Sequence, residues 1–236
     1  MVNHEFNTVA VSDGTEMDLY VATPNGEKVP FPLVIVLQEA FGVNGHIRRI
    51  ADRLSYEGYA AVAPDLFHRT GRRLELPYSD FSKVAPHFQA LTTEGMTADL
   101  QAVHQWAQQQ PNIRTDKMGS VGFCLGGRVS FLANAVLPLS AAVSYYGGYL
   151  DKLVDLAPQL HAHHLFFWGG KDQHIPKETI DKVTGAVQAA GKTYTNVVIS
   201  DADHAFSCDE RPAYHPTAAK EAWAHTLTFF SNRLKG

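Results

Sequence analysis

Along the chain, polar and apolar positions first alternate and then change period. Phe6, Val9 and Val11 lead to Asp13-Gly14, and Met17, Leu19 and Val21 follow it. Asp-Gly between two alternating runs predicts a β-hairpin, because only such residues accept the backbone of a two-residue turn cheaply. Thr23–Pro32 holds three prolines and a glycine and reads as a loop. From Leu33 onward, short wholly apolar runs take over: Leu33–Leu37, Tyr59–Ala63, Met118–Phe123, Ala141–Tyr145, Leu165–Trp168 and Asn196–Ile199. Segments of helical period separate them: Gly45–Glu57, Gly95–Gln110, Gly126–Leu137, Pro176–Ala190 and Pro216–Leu234. Pro111 and Gly191 follow two of these as stop signals, and Pro176 suits a first helical turn. A strand with no polar face must be covered on both sides, so the fold class is α/β, a mostly parallel central sheet flanked by helices. The N-terminal hairpin adds an antiparallel edge. Phe67–Glu94 is the longest stretch without a period, and it reads as either a lid over a site or a solvated excursion.

Composition narrows the function classes. The chain has 236 residues, 45% of them hydrophobic and 19% charged, which is enough to bury a substantial core in one domain spanning residues 1–236. The net charge of −4 and the lack of a basic stripe argue against nucleic acid as a partner. The start, Met-Val-Asn-His-Glu-Phe, does not resemble a secretory leader, and no apolar run is long enough to span a bilayer. Two cysteines, Cys124 and Cys208, cannot form a disulfide framework, so a reducing cytoplasm is the expected compartment.

The chemistry concentrates at Gly122-Phe123-Cys124-Leu125-Gly126-Gly127, between an apolar run and a helical segment. G-x-C-x-G in a strand–turn–helix context is a nucleophile elbow with cysteine in the serine position. Glycines on either side let strand and helix approach, and the helix N-terminus favours a thiolate. The alternative is a buried structural cysteine. Two partners follow in the expected order: Asp172, after one apolar run, and His204, after the next. Asp172 also suits a turn, and any one of twelve histidines is more often a surface residue. The tract His161, His163, His164 lacks the cysteines or carboxylates that would make it a metal site, so no metal is expected. Cys208 has no glycine elbow. An oxyanion hole needs two N–H groups, for which Leu125 and Ala40 are the candidates. Glu39, beside Ala40, would lie near the thiol and modulate it. Tyr145, Trp168 and Phe206, at the ends of runs, are either pocket walls or core, and Arg69 is a further pocket candidate.

Gln38-Glu39-Ala40-Phe41-Gly42-Val43-Asn44, Ala63-Pro64-Asp65-Leu66-Phe67, Gly122–Gly127, Tyr145-Tyr146-Gly147, Gly169-Gly170-Lys171-Asp172 and His204-Ala205-Phe206 together resemble the dienelactone hydrolase (carboxymethylenebutenolidase) family. The resemblance implies an α/β-hydrolase fold, a Cys–Asp–His triad formed by Cys124, Asp172 and His204, no cofactor, and a glutamate at Glu39 that contacts the cysteine until substrate displaces it. The substrate implied is a small ester or lactone. In the best-known branch an arginine four residues after the histidine binds the carboxylate of the dienelactone. Here that position is Cys208, and the nearest downstream basic residue is Arg211. That branch also uses an arginine from the lid, where this chain has Arg69, Arg72 and Arg73. The natural substrate is therefore left open, as is the oligomeric state. Two rivals remain: another esterase or thioesterase of this fold, and a binding protein that captures its ligand without turnover.

Overall fold

The computed structural model describes residues 2–25 and 30–236. Part of the loop expected over Thr23–Pro32 falls outside these residues. Its flanks are strand: β1 (Val2–Ala10) and β2 (Glu16–Pro24) form the expected hairpin, and β3 begins at Phe31. The hairpin pairs Val9 with Met17 and turns at Gly14, whose φ is +88°.

By internal contacts the chain forms two compact units, Met1–Met118 and Gly119–Gly236. The first holds β1, β2, β3 (Phe31–Leu37), α1 (Gly45–Tyr56), β4 (Ala60–Pro64), α2 (Phe81–Gln89) and α3 (Thr93–Gln108). Its strands run in the order β1-β2-β4-β3, with β2 antiparallel to β4 and β3 parallel to it. Helix α1 forms because Ile47, Ile50, Ala51 and Leu54 recur at helical spacing and are buried, and the Asn44 side chain caps it by accepting from Ile47 N–H. Between β4 and α3, Phe67–Glu94 is not irregular throughout. It contains α2, capped by Asp80, with only Val84 fully buried. The internal Pro86 and the thin apolar face hide this helix from a periodicity argument.

The segment after β4 is tied down through side chains. Asp65 accepts from Phe67 N–H and Arg73 N–H, and Gln38 Oε1 accepts from Leu66 N–H. Arg69 bonds Asp13 and both oxygens of Asp99, and buried His68 meets Asp99 at 3.1 Å. Arg72 and Arg73 share Asp18. Further along, Leu76 N–H donates to Phe41 C=O, Arg48 pairs with Glu75 at 2.7 Å, and Asn44 donates to the Tyr78 hydroxyl.

The second unit carries β5 (Ile113–Phe123, which starts just before the boundary), α4 (Leu125–Val136), β6 (Ala141–Tyr145), β7 (His164–Gly169), α5 (Lys177–Ala189), β8 (Tyr194–Ile199) and α6 (Pro216–Leu234). β5, β6, β7 and β8 lie side by side in that order and all run parallel. The class is α/β, as the apolar runs predict, with four parallel strands here and a mixed set in the first unit. β5 begins five residues before the predicted Met118, because Ile113–Lys117 is polar and only partly covered. β8 is also longer than predicted and is not wholly buried. It ends the sheet and leaves Val198 49% exposed. Among the described residues no helix is long and apolar enough to cross a membrane.

Candidate active site

Three loops at the carboxyl ends of β5, β7 and β8 bring the predicted nucleophile, acid and histidine together, all within the second unit. Cys124 occupies the N-cap of α4 with φ 53° and ψ −111°, a conformation that costs a non-glycine residue energy and persists only where surroundings enforce it. Those surroundings are main-chain atoms. Cys124 N–H donates to Tyr145 C=O at 3.1 Å, and Cys124 C=O accepts from the N–H groups of Gly127 and Gly148. A Cβ on Gly122 would fall 1.8 Å from Gly126 oxygen, so only glycine lets β5 and α4 meet this closely. Cys124 is half-buried, whereas Cys208 is fully buried.

Asp172 is buried and fully engaged. Its Oδ1 accepts from His174 N–H at 2.8 Å and Ile175 N–H at 3.2 Å, and its Oδ2 lies 2.7 Å from His204 Nδ1. The two loops meet main chain to main chain, because a Cβ on Gly169 would strike Ala202 oxygen and one on Gly170 would strike Ser200. The His204 side chain is 11% exposed, lies 2.7 Å from Asp172 and interacts with the Cys124 side chain. Burial pushes its pKa down, but the bonds to Asp172 and Cys124 outweigh burial and raise it to about 10. The geometry thus brings a thiol, an imidazole and a carboxylate into one chain of contacts.

The other predicted residues are placed as follows. Leu125 is the first residue of α4, so its N–H lies outside the helix's own hydrogen-bond ladder. Glu39 and Ala40 lie in the first unit, in the loop after β3, both buried. Tyr145, Trp168 and Phe206 are all almost fully buried. The Tyr145 hydroxyl bonds Thr226 of α6, and its ring packs on Phe123 and Phe167. Trp168 donates to Asn196 and stacks on Phe166, and Phe206 is fully buried. Arg69 serves the Asp13 and Asp99 carboxylates of the first unit. The histidine tract disperses: His163 reaches Thr195 and Arg233, while His164 is enclosed and bonded to Ser144, its pKa lowered to about 3 by burial.

Two residues, one beside His204 and one close to Cys124, escaped the sequence argument. Tyr146 packs its ring 5.1 Å from the His204 imidazole and bonds Ser207 through its hydroxyl. Arg128, one turn into α4, is largely buried and interacts electrostatically with Cys124 and Tyr149. The available signal was Tyr146's place one residue past the end of a buried strand, where a side chain leaves the sheet face.

Comparison with known proteins places these features in a group. The family model described as "Dienelactone hydrolase family" matches residues 17–234. A Yersinia pestis protein named "Putative carboxymethylenebutenolidase" is 37% identical over 238 residues, covering 97% of this chain and 88% of that protein. An Escherichia coli K12 protein of the same name is 38% identical over 232 residues, covering 93% and 83%. A crystal structure from Klebsiella pneumoniae, described as a "Putative Dienelactone Hydrolase", superposes with a TM-score of 0.89 at 35% identity, covering 98% of this chain and 99% of that one.

Proposed function

The chain belongs to the dienelactone hydrolase family, and from that premise we propose that this carboxylic ester hydrolase cleaves small esters or lactones through a Cys124–His204–Asp172 triad and a thioester intermediate. The observation that carries the proposal is an imidazole that meets Asp172 through Nδ1 at 2.7 Å and interacts with the side chain of Cys124, a residue held at positive φ on its elbow.

His204, protonated below its raised pKa, already holds the proton given up by Cys124 as the sulfur attacks the carbonyl carbon. The developing oxyanion is received by the N–H of Leu125 and, in this proposal, by that of Ala40. The carbon–oxygen bond breaks, and His204 returns the proton to the departing alkoxide. Water, deprotonated by His204, then attacks the thioester, releasing the acid and restoring the thiol. Asp172 keeps the imidazole in one tautomer and stabilises its cation. Glu39 is proposed to modulate the resting thiol, the role the family resemblance implies. A mechanism that needs a free thiol suits a reducing cytoplasm.

The test is Cys124→Ala assayed on a p-nitrophenyl ester and an enol-lactone. Turnover should disappear with the circular dichroism spectrum unchanged, and retained turnover would reject the mechanism. Esters, thioesters and amides assayed side by side then define the acyl class.

A further inference from the structure

Beyond the triad, one short turn contacts both of its reacting members. The turn Tyr145–Gly148 brackets the nucleophile, since Tyr145 C=O receives Cys124 N–H at 3.1 Å and Gly148 N–H donates to Cys124 C=O at 3.2 Å. Inside it, Tyr146 has φ 37°, an unfavourable value for a bulky residue, and its own N–H extends the β6–β7 ladder by bonding Phe167 C=O at 2.7 Å. Its side chain is fully buried and touches the histidine loop at three of four consecutive residues. The ring lies 5.1 Å from the His204 imidazole and 5.2 Å from the Phe206 ring, and the phenol shares a 2.6 Å hydrogen bond with Ser207. Between them, Ala205 is itself at φ 65°.

We propose that Tyr146, acting with Ser207, is a positioning residue of the acyl-transfer reaction, a strut that sets the tilt of the His204 imidazole toward the Cys124 sulfur. This rests on the assignment of His204 as the base. Phenylalanine would supply the same ring without a buried hydroxyl to satisfy, so packing alone gives no reason for tyrosine. Asp172 and Cys124 engage the imidazole at its edge, and a ring held only by its edge can still tilt about the line between its partners. The Tyr146 ring, 5.1 Å away and inclined at 57°, and the His174 ring, 5.2 Å away, remove that freedom. Strained backbone at Cys124, Tyr146 and Ala205 around one imidazole is the pattern expected where geometry is held for function.

The experiment compares Tyr146→Phe, Ser207→Ala, their double variant and Ser207→Thr with the wild-type enzyme on p-nitrophenyl acetate. Both single variants should lose about tenfold in kcat with KM little changed. The double variant should be no worse than either single one, and Ser207→Thr, which keeps the hydroxyl, should recover most of the rate. The basic limb of the kcat/KM pH profile should move to lower pH in Tyr146→Phe as the imidazole loosens from its partners. Unchanged kcat, or a loss that follows Tm with the pH profile fixed, would overturn the strut, as would additive losses. Cys124→Ala run alongside separates the two levels: if it is dead while the strut variants are normal, only the strut fails, and if it is active, the triad itself is wrong.

Discussion

The rim that carries Cys124, Asp172 and His204 and the segment that follows β4 solve the same problem, holding irregular chain still, with different chemistry. On the rim, main chain lies against main chain: Gly122 on Gly126, Gly127 on Gly147, Gly169 on Ala202 and Gly170 on Ser200. After β4, the work is done by side-chain charges, with Arg69, Arg72 and Arg73 distributed over Asp13, Asp18 and Asp99. Backbone contact has no slack, because a single methyl group would overlap its neighbour. An ion pair tolerates a shift of a few tenths of an ångström, and its exposed members contribute little individually. The difference suggests that the chain reserves rigid contacts for the atoms that must meet and uses compliant ones where only approximate placement is needed.

Substitutions can break or sharpen that contrast. The largest effect is expected for Gly122→Ala, whose Cβ would sit 1.8 Å from Gly126 oxygen. It should destabilise by roughly 4 kcal/mol or more and abolish activity, measured by urea unfolding and ester turnover. A stable, active variant would show that the elbow has slack after all. Next comes Asp99→Ala, which strips a fully buried carboxylate from His68 and Arg69 and should cost about 3 kcal/mol. If turnover per folded molecule survives that loss, the compliant character of the region is supported.

A smaller effect should follow pH. His204 is raised from 6.5 to about 10 in the folded protein, so its contribution is fully present below pH 6.5 and is lost as pH rises through about 10. The urea midpoint of wild type should fall toward that of His204→Gln across this interval, and a constant gap would contradict the pairing with Cys124 and Asp172. The smallest effect belongs to Glu75→Gln, which loosens a partly exposed pair with Arg48 and should change stability by about 0.5 kcal/mol or less.

Much of the rigid region was legible in the sequence, because glycine and strand-end signals are local. Gly122-Phe123-Cys124-Leu125-Gly126 announces strand, bend and helix within a few residues, and acid and histidine follow successive apolar runs. What escaped was non-local. Helix α2 is held by few buried side chains, Ile113–Lys117 is strand by continuation of β5 rather than by composition, and β8 is exposed because it is last in the sheet. Whether Tyr145 or Tyr146 turns toward the histidine depends on where β6 stops, a matter of one residue in the pairing register. Arg69 could not be assigned from sequence, because its carboxylate partners lie 56 and 30 residues away.

The bend at position 124 is enforced by carbonyls and amides, none of which senses the element at the tip of the side chain. Oxygen could replace sulfur there while the skeleton stayed as it is. Within this architecture, the atom at the tip of residue 124 is a removable fitting, open to exchange without renegotiating how the polypeptide folds.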